Sequence, residues 1–303
     1  MKHRAPAVEA MQIQAVEVGE AENGYQPVHL RTDRGTVALR HYPVPGTRPA
    51  AVWVGGVGGD WDSPARGLYP RLCEALTQER IASLRVRFRR PGNLTESVLD
   101  VLAGPHYLEQ AGVTAVALTG HSFGGAVVIQ AAAAAPRVRT VVALATQSYG
   151  AAPAATLAPR CSLLLIHGTA DEVLPPCCAQ SVYALAGEPK RLVLYEGAGH
   201  VLDEVAAQVE QVVHAWIGEQ LSRAGPTVGG VQPRSTQSQE VAMEPHPSGG
   251  QDPTLKDEQG REALQEEPAD PTLKDAQAGQ PRAVPPPGGT PQPAAGPTDA
   301  TEP

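Results

Sequence analysis

A serine stands between glycines in "VTAVALTGHSFGGAVVIQAAAAAP", Val113 to Pro136, where an apolar run of strand character gives way to one of helical character. A hydroxyl is a weak nucleophile at its own pKa and needs a neighbouring base, which in turn needs a group to orient it. Two later segments supply residues of those types: Asp171 in "LLLIHGTADEVLP" and His200 in "LVLYEGAGHVLDE". Each of the three directly follows an apolar run. A sharp strand-to-helix turn would force Ser122 into a strained backbone conformation, and a larger side chain at Gly120 or Gly124 would collide across that turn. The turn would leave the hydroxyl at the N-terminus of a helix beginning at Phe123. Unpaired N–H groups and the helix dipole there favour a developing negative charge.

The elements that must position these residues are legible as a rhythm. Early β-forming segments at Gln12–Val18, Val28–Thr32 and Thr36–His41, the last two flanking the turn "DRG", suggest an antiparallel lead-in. Six strand-like runs follow, near Ala51–Val54, Ser83–Phe88, Val113–Thr119, Val138–Leu144, Leu163–His167 and Arg191–Tyr195. Helix-like stretches lie between them near Pro64–Arg80, Thr95–Gln110, Phe123–Ala135 and Pro176–Ala186, and a last one spans Leu202–Leu221. Apolar runs without alternation fit strands covered on both faces, and their alternation with helices fits a parallel sheet. The fold class is therefore α/β, a mostly parallel central sheet flanked by helices. Too few residues separate Ala145 from Ser162 for a cap domain, so the site should be open. In such a sheet, sites form beyond the carboxyl ends of the strands, where Ser122, Asp171 and His200 all fall.

With those residues in view, "GHSFGG" resembles the nucleophile elbow of the α/β-hydrolase family, and the order serine, acid, histidine is that family's order. The resemblance covers about Ala50 to Ile217 and is strongest to small capless members of the dienelactone-hydrolase and carboxylesterase kind, to which "HGTADEVLP" and "GAGH" also correspond. It implies Ser122 as nucleophile, His200 as general base and Asp171 as the residue that orients and stabilises the imidazolium. The oxyanion hole would use the Phe123 N–H and a second N–H after Ala51–Val54. Gly55-Gly56-Val57 stands where the family often has His-Gly-X, which aligns Val57 with the second donor. The implied activity is cleavage of small-molecule esters or thioesters through an acyl-enzyme. An acyltransferase or peptidase of the same fold, and a non-catalytic scaffold, are the alternatives.

Other residues admit two readings each. Arg85, Arg87 and Arg89 alternate with Val86 and Phe88, so they would share one strand face, with Arg90 emerging near the site as an anion anchor or a structural ion pair. Asp60, Trp61 and Asp62 would line the mouth of the site or form a solvated loop. His121 should point away along the turn and fill space, and His167 should buttress the acid loop. Cys73, Cys161, Cys177 and Cys178 lack metal-ligand spacing and are expected as reduced thiols in a cytoplasmic protein, with Cys177 and Cys178 starting a helix. No metal or cofactor is implied, because no zinc pattern, phosphate loop or dinucleotide fingerprint occurs.

Composition divides the 303 residues in two. From Ala224 onward there is no Phe, Trp or Tyr, and 15 of the chain's 30 prolines fall there. Such a segment cannot bury enough apolar surface to offset its ordering entropy. The expected organisation is a folded domain over 1–223 and a disordered acidic tail over 224–303. The tail holds 5 Lys and Arg against 12 Asp and Glu, and the remainder is nearly neutral, which excludes a nucleic-acid footprint. The repeat "DPTLKD", at Asp252–Asp257 and Asp270–Asp275, reads as part of a solvated spacer, with a linear motif for a protein partner as the other reading. No apolar run is long enough for a membrane span, and the N-terminus lacks the apolar core of a secretory signal.

Overall fold

The computed structural model describes residues 11–223. The expected disordered tail 224–303 and its repeat lie outside the described residues, as do residues 1–10. The strands are β1 (Ile13–Val18), β2 (Gln26–Thr32), β3 (Gly35–Tyr42), β4 (Pro49–Val54), β5 (Ala82–Arg87), β6 (Ala115–His121), β7 (Val138–Leu144), β8 (Ser162–Gly168) and β9 (Lys190–Tyr195). The helices are α1 (Pro64–Gln78), α2 (Leu94–Gln110), α3 (Phe123–Ala134), α4 (Cys177–Leu185) and α5 (Ala206–Arg223).

All nine strands form one sheet in the order β1-β2-β3-β5-β4-β6-β7-β8-β9. β1, β2 and β3 pair antiparallel, and β3 joins β5 antiparallel. From β5 through β9 every pairing is parallel. The chain leaves β4 through α1 to one neighbour, β5, and returns through α2 to the other, β6. The loops after β4 and β6 therefore diverge from adjacent strand ends, which opens a crevice at the topological switch point. Val54 pairs with Gly120 in register there, so the first residues after each strand face one another across it.

Two apolar clusters explain why the strands lack alternation. Val52, Leu118, Val141 and Leu163 pack with α2, α3 and α4 on one face; Trp53, Ala117, Val142 and Leu164 pack with α1 and α5 on the other. α3 is apolar almost all round because it is buried almost all round; its alanines and glycines let it lie close to the sheet. Between β7 and β8 there is only a 3₁₀ turn, Ala152–Thr156, and no cap domain. Among the described residues, no helix is long and apolar enough to cross a membrane.

Three local features depart from expectation. The first turn of α1 is not right-handed, since Ala65, Arg66 and Gly67 have φ of 49°, 55° and 80°. Hydrogen bonds from far along the chain hold it: Ala65 N–H donates to Val201 O at 2.7 Å and Arg66 N–H to Asp203 Oδ1 at 2.7 Å. Regular helix starts after Gly67, so Pro70 falls in its first turn and costs no ladder bond. α5 begins at Ala206 rather than Leu202, because buried Leu202 takes a left-handed conformation (φ 59°) and a short 3₁₀ turn follows.

The arginines of β5 are the third. Arg85 and Arg87 keep to one face, where Arg87 reaches Asp60 at 3.4 Å, but Arg89 does not. β5 stops at Arg87 and the chain bends, so Arg89 turns to α2, where it pairs with Asp100 and, at 2.9 Å, with Glu96. Arg34 on the β2–β3 turn also reaches Glu96, at 2.5 Å. The Arg34 bond is the main cause holding the Glu96 carboxyl below its ordinary value. Arg85 alone of the three stays buried on the opposite face. Arg90 is exposed and makes no ion pair among the described residues.

Candidate functional site

Ser122 sits at the β6–α3 turn with φ 57° and ψ −121°, a combination that non-glycine residues rarely adopt. Its N–H extends the sheet by donating to Leu144 O at 2.8 Å, and its carbonyl already accepts from Gly125 N–H at 3.0 Å. One residue thus ends the strand ladder and opens the helix, and the strain is concentrated on it. Gly120 has the role foreseen, since a Cβ there would overlap the Gly124 carbonyl. Gly124 has a different one: its Cβ would overlap the Gly55 carbonyl, so the crowding lies between the elbow and the end of β4, not across the turn. Gly120→Ala sets side-chain carbon against backbone, which no rotamer change relieves. It is expected to destabilise the fold by about 3 kcal/mol or more. Urea denaturation would check this, and an unchanged midpoint would contradict the packing described.

Asp171 lies at the end of the β8 loop with its carboxylate fully shielded from solvent. Oδ1 accepts the Val173 and Leu174 N–H groups at 2.9 and 2.8 Å. Oδ2 lies 2.8 Å from His200 Nδ1 and 3.1 Å from His167 Nε2, which also lies 2.9 Å from Leu174 O. Burial alone would raise this carboxyl's pKa. The bonds from His167, His200 and Leu174 N–H outweigh that and hold it well below the ordinary carboxylate value. His167 thus buttresses the acid loop as expected. The acid and histidine loops are also joined through backbone, Ala170 N–H donating to Ala198 O at 3.0 Å, and a Cβ on Gly168 would overlap that same carbonyl.

His200 is brought beside the elbow through His121. Contrary to the expectation that it points away and fills space, His121 is buried with its ring 4.8 Å from that of His200. Its Nε2 donates to the His200 carbonyl at 3.0 Å, which leaves Nδ1 buried without a hydrogen bond and 4.0 Å from Asp62 Oδ2. Burial first, and the neighbouring His200 second, lower its pKa to about 4, so His121 is neutral at pH 7. The Ser122 hydroxyl makes no hydrogen bond among the described residues. The three candidate residues therefore gather at one end of the sheet, with the histidine–acid bond formed and no hydrogen bond between the Ser122 hydroxyl and His200 among the described residues.

The loop after β4 completes the site. A Cβ on Gly56 would stand 3.4 Å from Ser122 Cβ, which puts this backbone directly over the elbow. The Gly56 N–H is engaged by Asp62 Oδ2 at 3.3 Å. The N–H groups of Val57 and Phe123, the two expected oxyanion donors, make no hydrogen bond within the described residues. Position 55 has no room for a side chain. A Cβ there would come within 2.8 Å of Asp62 Cβ. Sequence patterning put Asp62 at the mouth of the site or on a solvated loop and Arg85 on a strand face, but did not join the two. The one available signal was an arginine among apolar residues in a strand covered on both faces. Cys73, Cys161 and Cys178 are buried, and Cys177, the first residue of α4, is exposed. Among the described residues, no three His, Cys, Asp or Glu side chains gather as a metal site.

No protein-family model matches the chain, and no curated protein does. Solved structures do. Est1E from Butyrivibrio proteoclasticus superposes with a TM-score of 0.55 at 18% identity, over 65% of this chain and 99% of its own. Est1E has also been solved with ferulic acid bound. A dienelactone hydrolase from Anabaena variabilis gives 0.56 at 18% identity, over 65% and 99% of the two chains. The esterase domain of a Rhodothermus marinus protein gives 0.51 at 22% identity, over 69% and 99%. Together with the sheet order, these place the chain in the α/β-hydrolase fold.

Proposed function

We propose that the chain is a serine hydrolase that cleaves ester or thioester bonds through an acyl-enzyme. The observation that carries this reading is the strained Ser122 elbow beside a His200–Asp171 pair bonded at 2.8 Å. His200 Nδ1–H donates to Asp171, which leaves Nε2 as the proton acceptor. As Ser122 Oγ attacks the carbonyl carbon, Nε2 takes its proton, and the N–H groups of Val57 and Phe123 receive the charge developing on the carbonyl oxygen. Collapse of the tetrahedral species breaks the bond to the alcohol or thiol, which leaves with the proton from His200. Water then repeats the sequence on the acyl-serine and returns the acid and free enzyme.

Apolar side chains on the surrounding loops suit an apolar acyl group. Val57, Tyr149, Val173 and Val201 are each about half exposed on the loops after β4, β7, β8 and β9, so they rim the strand ends that carry Ser122, Asp171 and His200. The fold likeness to proteins titled esterase and dienelactone hydrolase supports the same reaction class, and the ferulic acid bound by Est1E makes aromatic acyl esters a first choice for screening.

The test is labelling of the purified full-length chain with a fluorophosphonate probe, followed by peptide mapping. One equivalent on Ser122, lost in Ser122→Ala and weakened in His200→Ala, is the expected result. A folded protein that takes up no probe would leave the non-catalytic scaffold as the reading to pursue.

A further inference from the structure

Arg85 presents an unusual arrangement for a buried cation. It is 5% exposed, and no carboxylate pairs with it among the described residues. Its Nη2 donates instead to the carbonyls of Trp61 at 2.5 Å and Asp62 at 3.4 Å, and the Tyr42 hydroxyl is its third partner. Burying an arginine against carbonyls is costly unless the geometry is fixed and the bonds are made. What it fixes is the far limb of the loop after β4. Arg40 reinforces the hold, its guanidinium carbon 4.2 Å from the centre of the Trp61 ring.

From that clamped limb, Asp62 reaches back to the near limb. Oδ1 accepts the Ser63 N–H at 2.8 Å, which fixes the carboxylate's orientation, and Oδ2 accepts the Gly56 N–H at 3.3 Å. Gly56 lies over Ser122, and the next N–H is that of Val57. Pinning the Gly56 N–H fixes the Gly55–Gly56 peptide plane and leaves only the two Gly56 dihedrals between that anchor and the Val57 N–H. The Gly-Gly pair would otherwise be the most permissive stretch of the site.

We infer that Asp62, seated by Arg85, is a positioning residue that presets the Val57 N–H as oxyanion donor, in place of any fixing by a side chain at position 55. This rests on the serine-hydrolase reading above. The role belongs to the carboxylate as a hydrogen-bond acceptor and not to its charge, because a negative charge beside a developing oxyanion opposes it. Both carboxylate oxygens accept an N–H, so Asp62→Asn, whose amide offers one acceptor oxygen and must set its NH₂ against the Ser63 or the Gly56 N–H, should not rescue what Asp62→Ala loses.

The experiment compares the full-length wild type, Asp62→Ala, Asp62→Asn and Arg85→Met in two readouts. In steady-state hydrolysis of a p-nitrophenyl ester, Asp62→Ala should lose about 100-fold in kcat with KM little changed, the pattern of a misplaced oxyanion donor. Asp62→Asn should lose a similar factor, and Arg85→Met should fall between the wild type and Asp62→Ala. In hydrogen exchange by mass spectrometry, the peptide covering Gly55 to Gly58 should exchange faster in Asp62→Ala and Arg85→Met than in wild type, with peptides of β7 and β8 unchanged. The second readout does not need turnover. If the wild type proved inactive but the exchange pattern held, the loop assignment would stand and the hydrolase reading would fall. Unchanged exchange in Asp62→Ala, or an Asp62→Asn with wild-type kcat, would overturn the inference.

Discussion

Replacing Ser122 by alanine should lower kcat for ester hydrolysis on the order of 10⁶-fold while leaving the fold intact. The size follows from what is lost. The hydroxyl is the only atom of residue 122 that can form the acyl bond, and in the proposed mechanism the histidine and the acid act on the substrate only through it. Their effects are not additive, so removing one member of such a unit removes nearly all of it. The fold should survive because alanine carries the same Cβ as serine at φ 57° and removes only an oxygen that no protein group binds. The residual rate, above that in water, would come from binding and the N–H pair alone. A glycine at the same position offers an internal control. It relieves backbone strain worth about 1–3 kcal/mol, so Ser122→Gly should be equally inactive yet unfold at a higher temperature than Ser122→Ala. Matched steady-state assays and thermal unfolding would show both effects, and a Ser122→Ala retaining a tenth of the wild-type rate would remove the serine from the mechanism.

The elements that hold Ser122 were legible because their signals are local. Apolar runs without alternation can be read within six or seven residues, and β4, β6, β7 and β8 fall within a residue or two of where the pattern puts them. The elbow was legible for the same reason, its glycines being four residues apart. The misreadings all involve partners distant in sequence. Pro64 to Gly67 has helical composition, and only Val201 and Asp203 turn it left-handed. Arg89 continues an alternation that reads as strand until the carboxylates of α2 draw it to the other face. His121 faces His200 across 79 residues. Asp62 and Arg85, 23 residues apart on different elements, become one unit only once β5 has paired with β4. A residue type and its spacing carry chemistry; which carbonyl a buried cation finds depends on the whole sheet.

The acid shows how far the site depends on such a network, and Asp171→Asn should cost about 10⁴-fold in kcat without loss of the fold. The reason lies in the direction of four hydrogen bonds. The Val173 and Leu174 N–H groups are fixed donors, so the asparagine carbonyl must take the place of Oδ1. Its NH₂ then occupies the place of Oδ2, facing His200 Nδ1 and His167 Nε2. A donor there makes His200 Nδ1 the acceptor and moves the imidazole proton to Nε2. That tautomer cannot take a proton from Ser122. The substitution also tests the protonation state by linkage. Because the folded-state pKa of Asp171 is depressed, its ionised form contributes stability that is fully present above the unfolded value of about 4 and is lost as pH falls through the folded value. The stability difference between wild type and Asp171→Asn, measured by denaturant unfolding, should therefore be constant from neutral pH down to about 5 and narrow on further acidification. A difference that instead widened in acid would mean that Asp171 is protonated in the native state, and the orienting role assigned to it would fail together with the tautomer argument.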